Sequence, residues 1–295
     1  MNMSNIMTRL YNKIKGVLLL CLVFCSTCLE AKQPYALYNA KGKKSSFTKM
    51  VKSLKQKDII LFGEIHNSPI AHWLEIEVTK ALYTPQLVLG AEMFEADNQK
   101  AVDDFLSSTI DAKGLDTLCR LWSNYKTDYA ALLAYAKEKK LPFVATNIPR
   151  VYATRVYKHG FESLHKDSLT NEERHWIAPL PIPYDPMLPR YQHILSMMGD
   201  HGTPELVKAQ AIKDATMAHF IIKNYQEGKQ FLHFNGAYHS DFYEGILWYL
   251  MKQNQTYRYG TISTVEQQDI SQLEQEHIGK ADFIICVDED VTTSY

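Results

Sequence analysis

Short apolar runs such as DIILFG, residues 58–63, recur along this sequence with helical stretches between them, and that alternation most restricts the fold. A run of this kind has no polar face, so a strand made from it is buried on both sides. Burial on both sides calls for helices above and below a mostly parallel sheet whose strands are joined by crossovers. The first unit is legible at short range. After 58–63, Asn67-Ser68-Pro69 supplies a cap and a proline for the first helical turn, and 70–82 reads as a helix. Residues 86–92 (QLVLGAE) read as a second strand, 97–106 and 128–139 as helices, and 141–146 (LPFVAT) as a third strand. Further on, 230–235 (QFLHFN) is a fourth strand, 240–251 a helix capped by Ser240 or Asp241, and 258–264 and 281–287 two more strands. Residues 150–227 break the rhythm: they are helical by pattern, carry the proline-rich loop IAPLPIPYDPMLP and offer no convincing strand. The fold class is therefore α/β, a mostly parallel sheet flanked by helices. Its core comes from 32–149 and 228–295, with a smaller helical lobe, 150–227, inserted.

Composition sets the outer limits. With 46% hydrophobic residues in 295, the chain can bury a sizeable core. A net charge of −1 with no lysine/arginine block gives no counterion-release drive for nucleic acid, so that class is excluded. Residues 1–31 read as an export leader: Arg9, Lys13 and Lys15 precede the apolar run 16–24, and Leu29-Glu30-Ala31 forms a peptidase site. A lipoprotein leader processed at Cys25 or Cys28 and anchored to a membrane by acyl chains is the rival reading, although Phe24 and Thr27 precede those cysteines where a small residue is preferred. Leu29 follows Cys25-x-x-Cys28 where covalent c-type haem would require histidine. Removing the leader takes away a net +2, Arg9, Lys13 and Lys15 against Glu30, and leaves a mature chain of about −3. Cys21 goes with it, and the remaining Cys119 and Cys286 cannot supply a disulfide framework, so the core must stabilise the fold.

The candidate site lies at the strand ends. Glu64 and His66 follow the first strand, Glu92 ends the second, Asn147-Ile148-Pro149-Arg150 follows the third, and Asn235-Gly236-Ala237-Tyr238-His239 the fourth. The carboxyl ends of parallel strands share one edge, and ligands bind in the crevice outside it. Two carboxylates, two histidines, an arginine and a tyrosine are thereby expected to meet there. Gly63 and Gly236 permit sharp turning and close approach of a ligand to the backbone. A lone Glu64 could serve only the dipole of the next helix, but the same habit at four strand ends favours a site. His72, His159, His165, His175, His193, His201, His219, His233 and His277 have no such support and read mostly as surface or core residues. Gln210, Asp214, Met217 and Ile221 form one helical stripe that reads as packing, with a partner required for Asp214 if it is buried.

The paired Gly-x-x-His motifs (Gly63 to His66, Gly236 to His239), with Glu92 in GAEMFE, Arg150 in NIPR and the KDATMA segment, resemble the ChaN family of bacterial haem-binding proteins, within the Tiki and erythromycin-esterase-like superfamily. The resemblance runs from about residue 58 to 287. It implies an exported protein, periplasmic or an outer-membrane lipoprotein, that takes part in haem or iron uptake and holds ferric haem at a homodimer interface through tyrosine. Carried onto this sequence, Tyr238 is the first candidate for the iron ligand and Tyr243 the second. His239 or His66 would accept the phenol's hydrogen bond, and Arg150 would pair with a propionate. Met197, Met198 and Tyr191 would wall the slot. The alternative is a metal-dependent hydrolase, in which Glu64, His66, Glu92 and His239 hold a divalent metal or activate water. Neither His-Glu-x-x-His nor Gly-x-Ser-x-Gly is present to support it.

Overall fold

Among the described residues seven strands form one sheet: β1 (Tyr35–Asn39), β2 (Ile59–Glu64), β3 (Leu87–Glu95), β4 (Phe143–Asn147), β5 (Gln230–Gly236), β6 (Tyr259–Gln267) and β7 (Phe283–Asp288). Their order is β1-β7-β6-β2-β5-β3-β4, and every neighbouring pair is parallel except β1 on β7. The computed structural model describes residues 32–165 and 168–295, with Met3, Ser4, Met7, Thr8, Leu10, Tyr11 and Lys15 of the leading segment. The apolar run 16–24, Cys21, Cys25, Cys28, the peptidase site at 29–31, Arg9 and Lys13 lie outside the described residues. Among those described, no helix is long and apolar enough to cross a membrane.

The helices are α1 (Phe47–Leu54), α2 (Pro69–Leu82), α3 (Gln99–Leu106), α4 (Ala112–Leu118), α5 (Ala130–Lys139), α6 (Arg150–His159), α7 (Asn171–Arg174), α8 (Pro189–Met198), α9 (Pro204–Asn224) and α10 (Ile246–Gln253). Alternation along β2 divides its side chains between two cores. Ile60 and Phe62 pack with Leu54, Leu74, Val78 and Leu133 of α1, α2 and α5. Ile59 and Leu61 pack with Ala215, Ile221, Ile246 and Leu250 of α9 and α10. Each such aliphatic side chain contributes about 1.5–3 kcal/mol on full burial, which explains why the strands read as unbroken apolar runs. Ser68 caps α2 by accepting the Ala71 N–H, with Pro69 at the first helical position.

Residues 150–227 contain α6 to α9 and no strand among the described residues, and Pro34–Tyr295 folds as one compact unit. Two expectations shift. The edge strand β1 (YALYN) was not anticipated, because its tyrosines and asparagine lack the apolar run that marks the inner strands. The helix expected from Ser240 starts only at Ile246. Before it, Phe242 and Tyr243 adopt φ of 57° and 63°. Such left-handed backbone costs about 1–3 kcal/mol for each non-glycine residue and persists only where neighbours over-determine it. Here the buried Asp241 accepts the Ser263 hydroxyl at 2.6 Å and lies 3.5 Å from Lys280 Nζ, while the Phe242 N–H donates to the Lys280 carbonyl at 2.7 Å.

Candidate functional site

Strand register brings the predicted motifs together. Glu64 at the end of β2 lies opposite Gly236 of β5. The β3–β4 pairing shifts between Ala91 and Glu95, a bulge of the kind that re-aims a side chain at a sheet's functional edge. Glu92 sits in it and accepts the Gly236 N–H on Oε2 at 2.8 Å, while Oε1 lies 3.1 Å from His239 Nε2. The other ring nitrogen, Nδ1, is 2.5 Å from Asp214 Oδ1, and Asp214 Oδ2 accepts the Tyr191 hydroxyl at 2.9 Å. All four groups are buried. Burial opposes charge on His239, yet Glu92 and Asp214 push its pKa up to about 10, so it is an imidazolium clamped at both nitrogens. Despite burial, that charge holds the Glu92 carboxyl far below its ordinary range, whereas burial keeps Asp214 above its own.

A second buried network adjoins the first. Glu64 Oε1 accepts from His66 Nδ1 at 2.6 Å and from the Tyr129 hydroxyl at 2.8 Å, and Oε2 lies 3.0 Å from His72 Nδ1. His72 Nδ1 is also 3.3 Å from Glu75 Oε2. Burial would raise the Glu64 carboxyl, but the two histidines hold it below its usual value. Burial, together with the Glu64 charge, pushes Glu75 up to about 8. Gly236 is required where the networks meet: a Cβ there would lie 2.8 Å from His66 Cε1 and 2.9 Å from its Nε2.

Tyr238 lies outside both networks, on a surface cavity of about 630 Å³ lined by Arg190, His193, Phe242, His277 and Lys280 among others. Its hydroxyl is 2.7 Å from His193 Nδ1 and 3.1 Å from Met197 Sδ. The Arg190 guanidinium stacks 4.0 Å from the Tyr238 ring centroid. Arg190 and His277 are both 7% exposed, yet Arg190 Nε and both His277 ring nitrogens have no hydrogen-bond partner among the described residues. Buried donors left open in this way mark a place where a ligand can complete them. The donor set fits haem: a phenol for ferric iron, and Arg190 and Lys280 as cations for propionates.

The strand ends thus unite Glu64, His66, Glu92 and His239 but leave the other predicted residues elsewhere. Arg150 is exposed at the start of α6, beside Thr154, Arg155 and Lys158. Tyr243 donates to Asp282 at 3.2 Å, its hydroxyl is pushed up to about 12 by burial, and it is not among the residues that line the Tyr238 cavity. His193, rather than His239 or His66, meets the Tyr238 hydroxyl, because His239 is held by Glu92 and Asp214. Tyr191 is buried against Asp214 and is not among the residues that line the Tyr238 cavity, whereas Met197 touches the Tyr238 hydroxyl. Sequence reasoning missed Arg190, His193, Lys280 and His72. For Arg190 and His193 the available signal was the concentration of aromatic and basic residues in PRYQH, next to the proline-rich loop. Asp214 found the partner that its burial demanded, in a stripe that had read as packing.

The structure of ChaN of Campylobacter jejuni, described with cofacial haem binding, is 16% identical with a TM-score of 0.64 and covers 86% of this chain and 97% of that one. A protein from Bacillus cereus (10% identity, TM-score 0.50) and a succinoglycan biosynthesis protein (9%, 0.50) each cover 86% of this chain and 94% of their own. At these identities the likeness concerns the fold. No curated protein matches the sequence. The family described as haem-binding uptake, Tiki superfamily, ChaN matches residues 50–250, and the chain belongs to that haem-binding family.

Proposed function

We propose that this protein is exported and takes up ferric haem for iron acquisition, with the Tyr238 oxygen as iron ligand. The observation that carries this reading is the Tyr238 hydroxyl on a cavity wall, 2.7 Å from an imidazole and flanked by Arg190 and Lys280. Bound haem would supply a ferric centre that prefers a hard anionic oxygen donor. His193 accepts the phenolic proton and favours the ligating form, while Arg190 and Lys280 neutralise propionates. The exposed Met197, 3.1 Å from the Tyr238 hydroxyl, gives the site an apolar, adaptable neighbour. A second copy would cover the outer haem face, so a homodimer is part of the proposal, in keeping with the cofacial haem binding described for the Campylobacter protein. The proposal includes export of the mature chain to the periplasm or the outer membrane, lipid-anchored if Cys25 or Cys28 is the processing site.

In the alternative hydrolase set of Glu64, His66, Glu92 and His239, a metal ion would have to replace the proton between His239 Nε2 and Glu92, whose charge pair the buried site already satisfies. Titration of the purified protein with ferric haem, read by absorption and by mass in solution, tests the proposal. Saturation with the charge-transfer bands of phenolate ligation and a doubling of mass are the expected results. Haem that binds without saturation, or only with an imidazole-type spectrum, would remove Tyr238 as ligand.

A further inference from the structure

The second network has the features of a metal centre. Glu64, His72 and Glu75 each offer one ligand atom, with the three within 4.8 Å of one another, and all three residues are buried. His72 Nε2 is 3.1 Å from the His66 carbonyl oxygen, which only accepts, so Nε2 carries the proton. Nδ1 then faces Glu64 Oε2 at 3.0 Å and Glu75 Oε2 at 3.3 Å. A ring nitrogen aimed at two carboxylate oxygens has either a proton or a cation between them.

Three further observations favour the cation. A metal–ligand distance of about 2.0–2.1 Å gives ligand–ligand edges of roughly 2.9 Å in octahedral and 3.4 Å in tetrahedral coordination, which bracket the two separations here. A ligating histidine characteristically donates its other N–H to a backbone carbonyl or carboxylate, as His72 does to His66. Finally, Glu64 Oε1 is fully engaged by His66 and Tyr129, Glu64 Oε2 has only the His72 ring nitrogen at 3.0 Å, and Glu75 Oε1 is buried without a hydrogen-bond partner among the described residues. An unsatisfied buried carboxylate oxygen is costly, and a metal ion held by that carboxylate would offset the cost.

We infer that Glu64, His72 and Glu75 form a buried site for a divalent first-row transition-metal ion of the zinc class, separate from the Tyr238 cavity. One imidazole and two carboxylates suit such an ion, and the ion would bind the end of β2 to α2. Through Glu64 it also fixes His66 at the edge of the strand-end cluster, which makes it a structural centre.

Metal-free protein, prepared with a chelator, would be equilibrated with Zn²⁺ and exchanged into metal-free buffer. Retained zinc would be counted by mass spectrometry and located by anomalous diffraction at the zinc edge. One zinc per chain, with density between Glu64, His72 and Glu75, is expected. Thermal unfolding should rise by roughly 5 °C at a hundredfold excess over Kd. Glu75→Gln keeps the shape of the site and should lower zinc affinity about tenfold or more. Protein that retains no zinc would overturn the inference, as would undiminished binding by the variant. If Glu75→Gln fails to fold, the anomalous map of the unaltered protein decides alone: density at His66 and His239 instead would equally reject the site.

Discussion

The Tyr238 hydroxyl lies 2.7 Å from His193 Nδ1 and so ties the end of β5 to α8 over 45 residues of chain. The contact fixes the phenol oxygen at the cavity wall, where Arg190 covers one face of the ring. Tyr238→Phe removes one oxygen and keeps the ring. It should lower ferric-haem affinity about tenfold or more and abolish the phenolate charge-transfer bands. Because the hydroxyl bond is partly solvated, stability should fall by only about 1 kcal/mol. An unchanged haem spectrum in the variant would show that another residue ligates the iron.

Gly236 and Gly63 are both closed to a side chain, but by different obstacles. At Gly236 a Cβ meets the His66 ring, a half-exposed group able to swing aside; at Gly63 it meets the Ala237 Cα at 2.9 Å and the Ile262 carbonyl at 3.1 Å. Overpacking of this kind costs about 1–3 kcal/mol, with the larger values where backbone must move. Urea denaturation should therefore rank Gly63→Ala below Gly236→Ala in stability. The reverse order would mean that His66 is fixed more firmly than the backbone beneath it.

Asp214 links α9 to the strand-end cluster by way of His239 and Tyr191. Asp214→Ala strands the Tyr191 hydroxyl and leaves the His239 imidazolium with Glu92 alone in a buried setting. Removing one member of a buried charged network costs about 3–5 kcal/mol, since the remaining charge is uncompensated. Denaturant unfolding of the variant should show a loss of that size. A loss below about 1 kcal/mol would mean that water or Gln210 replaces the carboxylate.

The inner sheet was readable because its strands carry apolar runs bounded by turns, and the strand-end cluster because parallel strands deliver their carboxyl ends to one edge. Glu64, His66, Glu92 and His239 are adjacent for that reason. What sequence could not convey is which way the chain turns after β5. Tyr238 and His239 are neighbours, yet His239 points into the Glu92–Asp214 clamp and Tyr238 out toward α8. The left-handed Phe242 and Tyr243 then redirect the chain, and no residue type announces that, since glycine or asparagine would be the usual signal. Arg190 and His193 come from a helix whose docking depends on tertiary packing and not on local pattern. Arg150 shows the converse: it follows a strand as the motif requires, but α6 begins there and leaves it exposed.

His233 in the middle of β5 gives the clearest pH dependence. It is buried; Asn235 Oδ1 lies 3.1 Å from Nδ1, and the Thr146 hydroxyl is 2.7 Å from Nε2. The Asn235 amide nitrogen already donates to the Gly236 carbonyl and to Ser240 Oγ, so its oxygen must accept and Nδ1 carries the proton. Nε2 is then an acceptor for Thr146, and the ring is neutral. Burial lowers its pKa from 6.5 to about 4. Between those values the unfolded chain binds more protons than the folded one, so stability rises with pH through the window. It is fully present above about pH 6.5 and is lost as pH falls toward 4. A shift of that size corresponds to about 3 kcal/mol at most. His233→Gln retains polar contacts without titrating. Denaturation at pH 7 and pH 4.5 should show a drop roughly 2–3 kcal/mol larger for the unaltered protein than for the variant, the carboxylates common to both cancelling in the comparison. Equal drops would mean that His233 is not buried as a neutral ring.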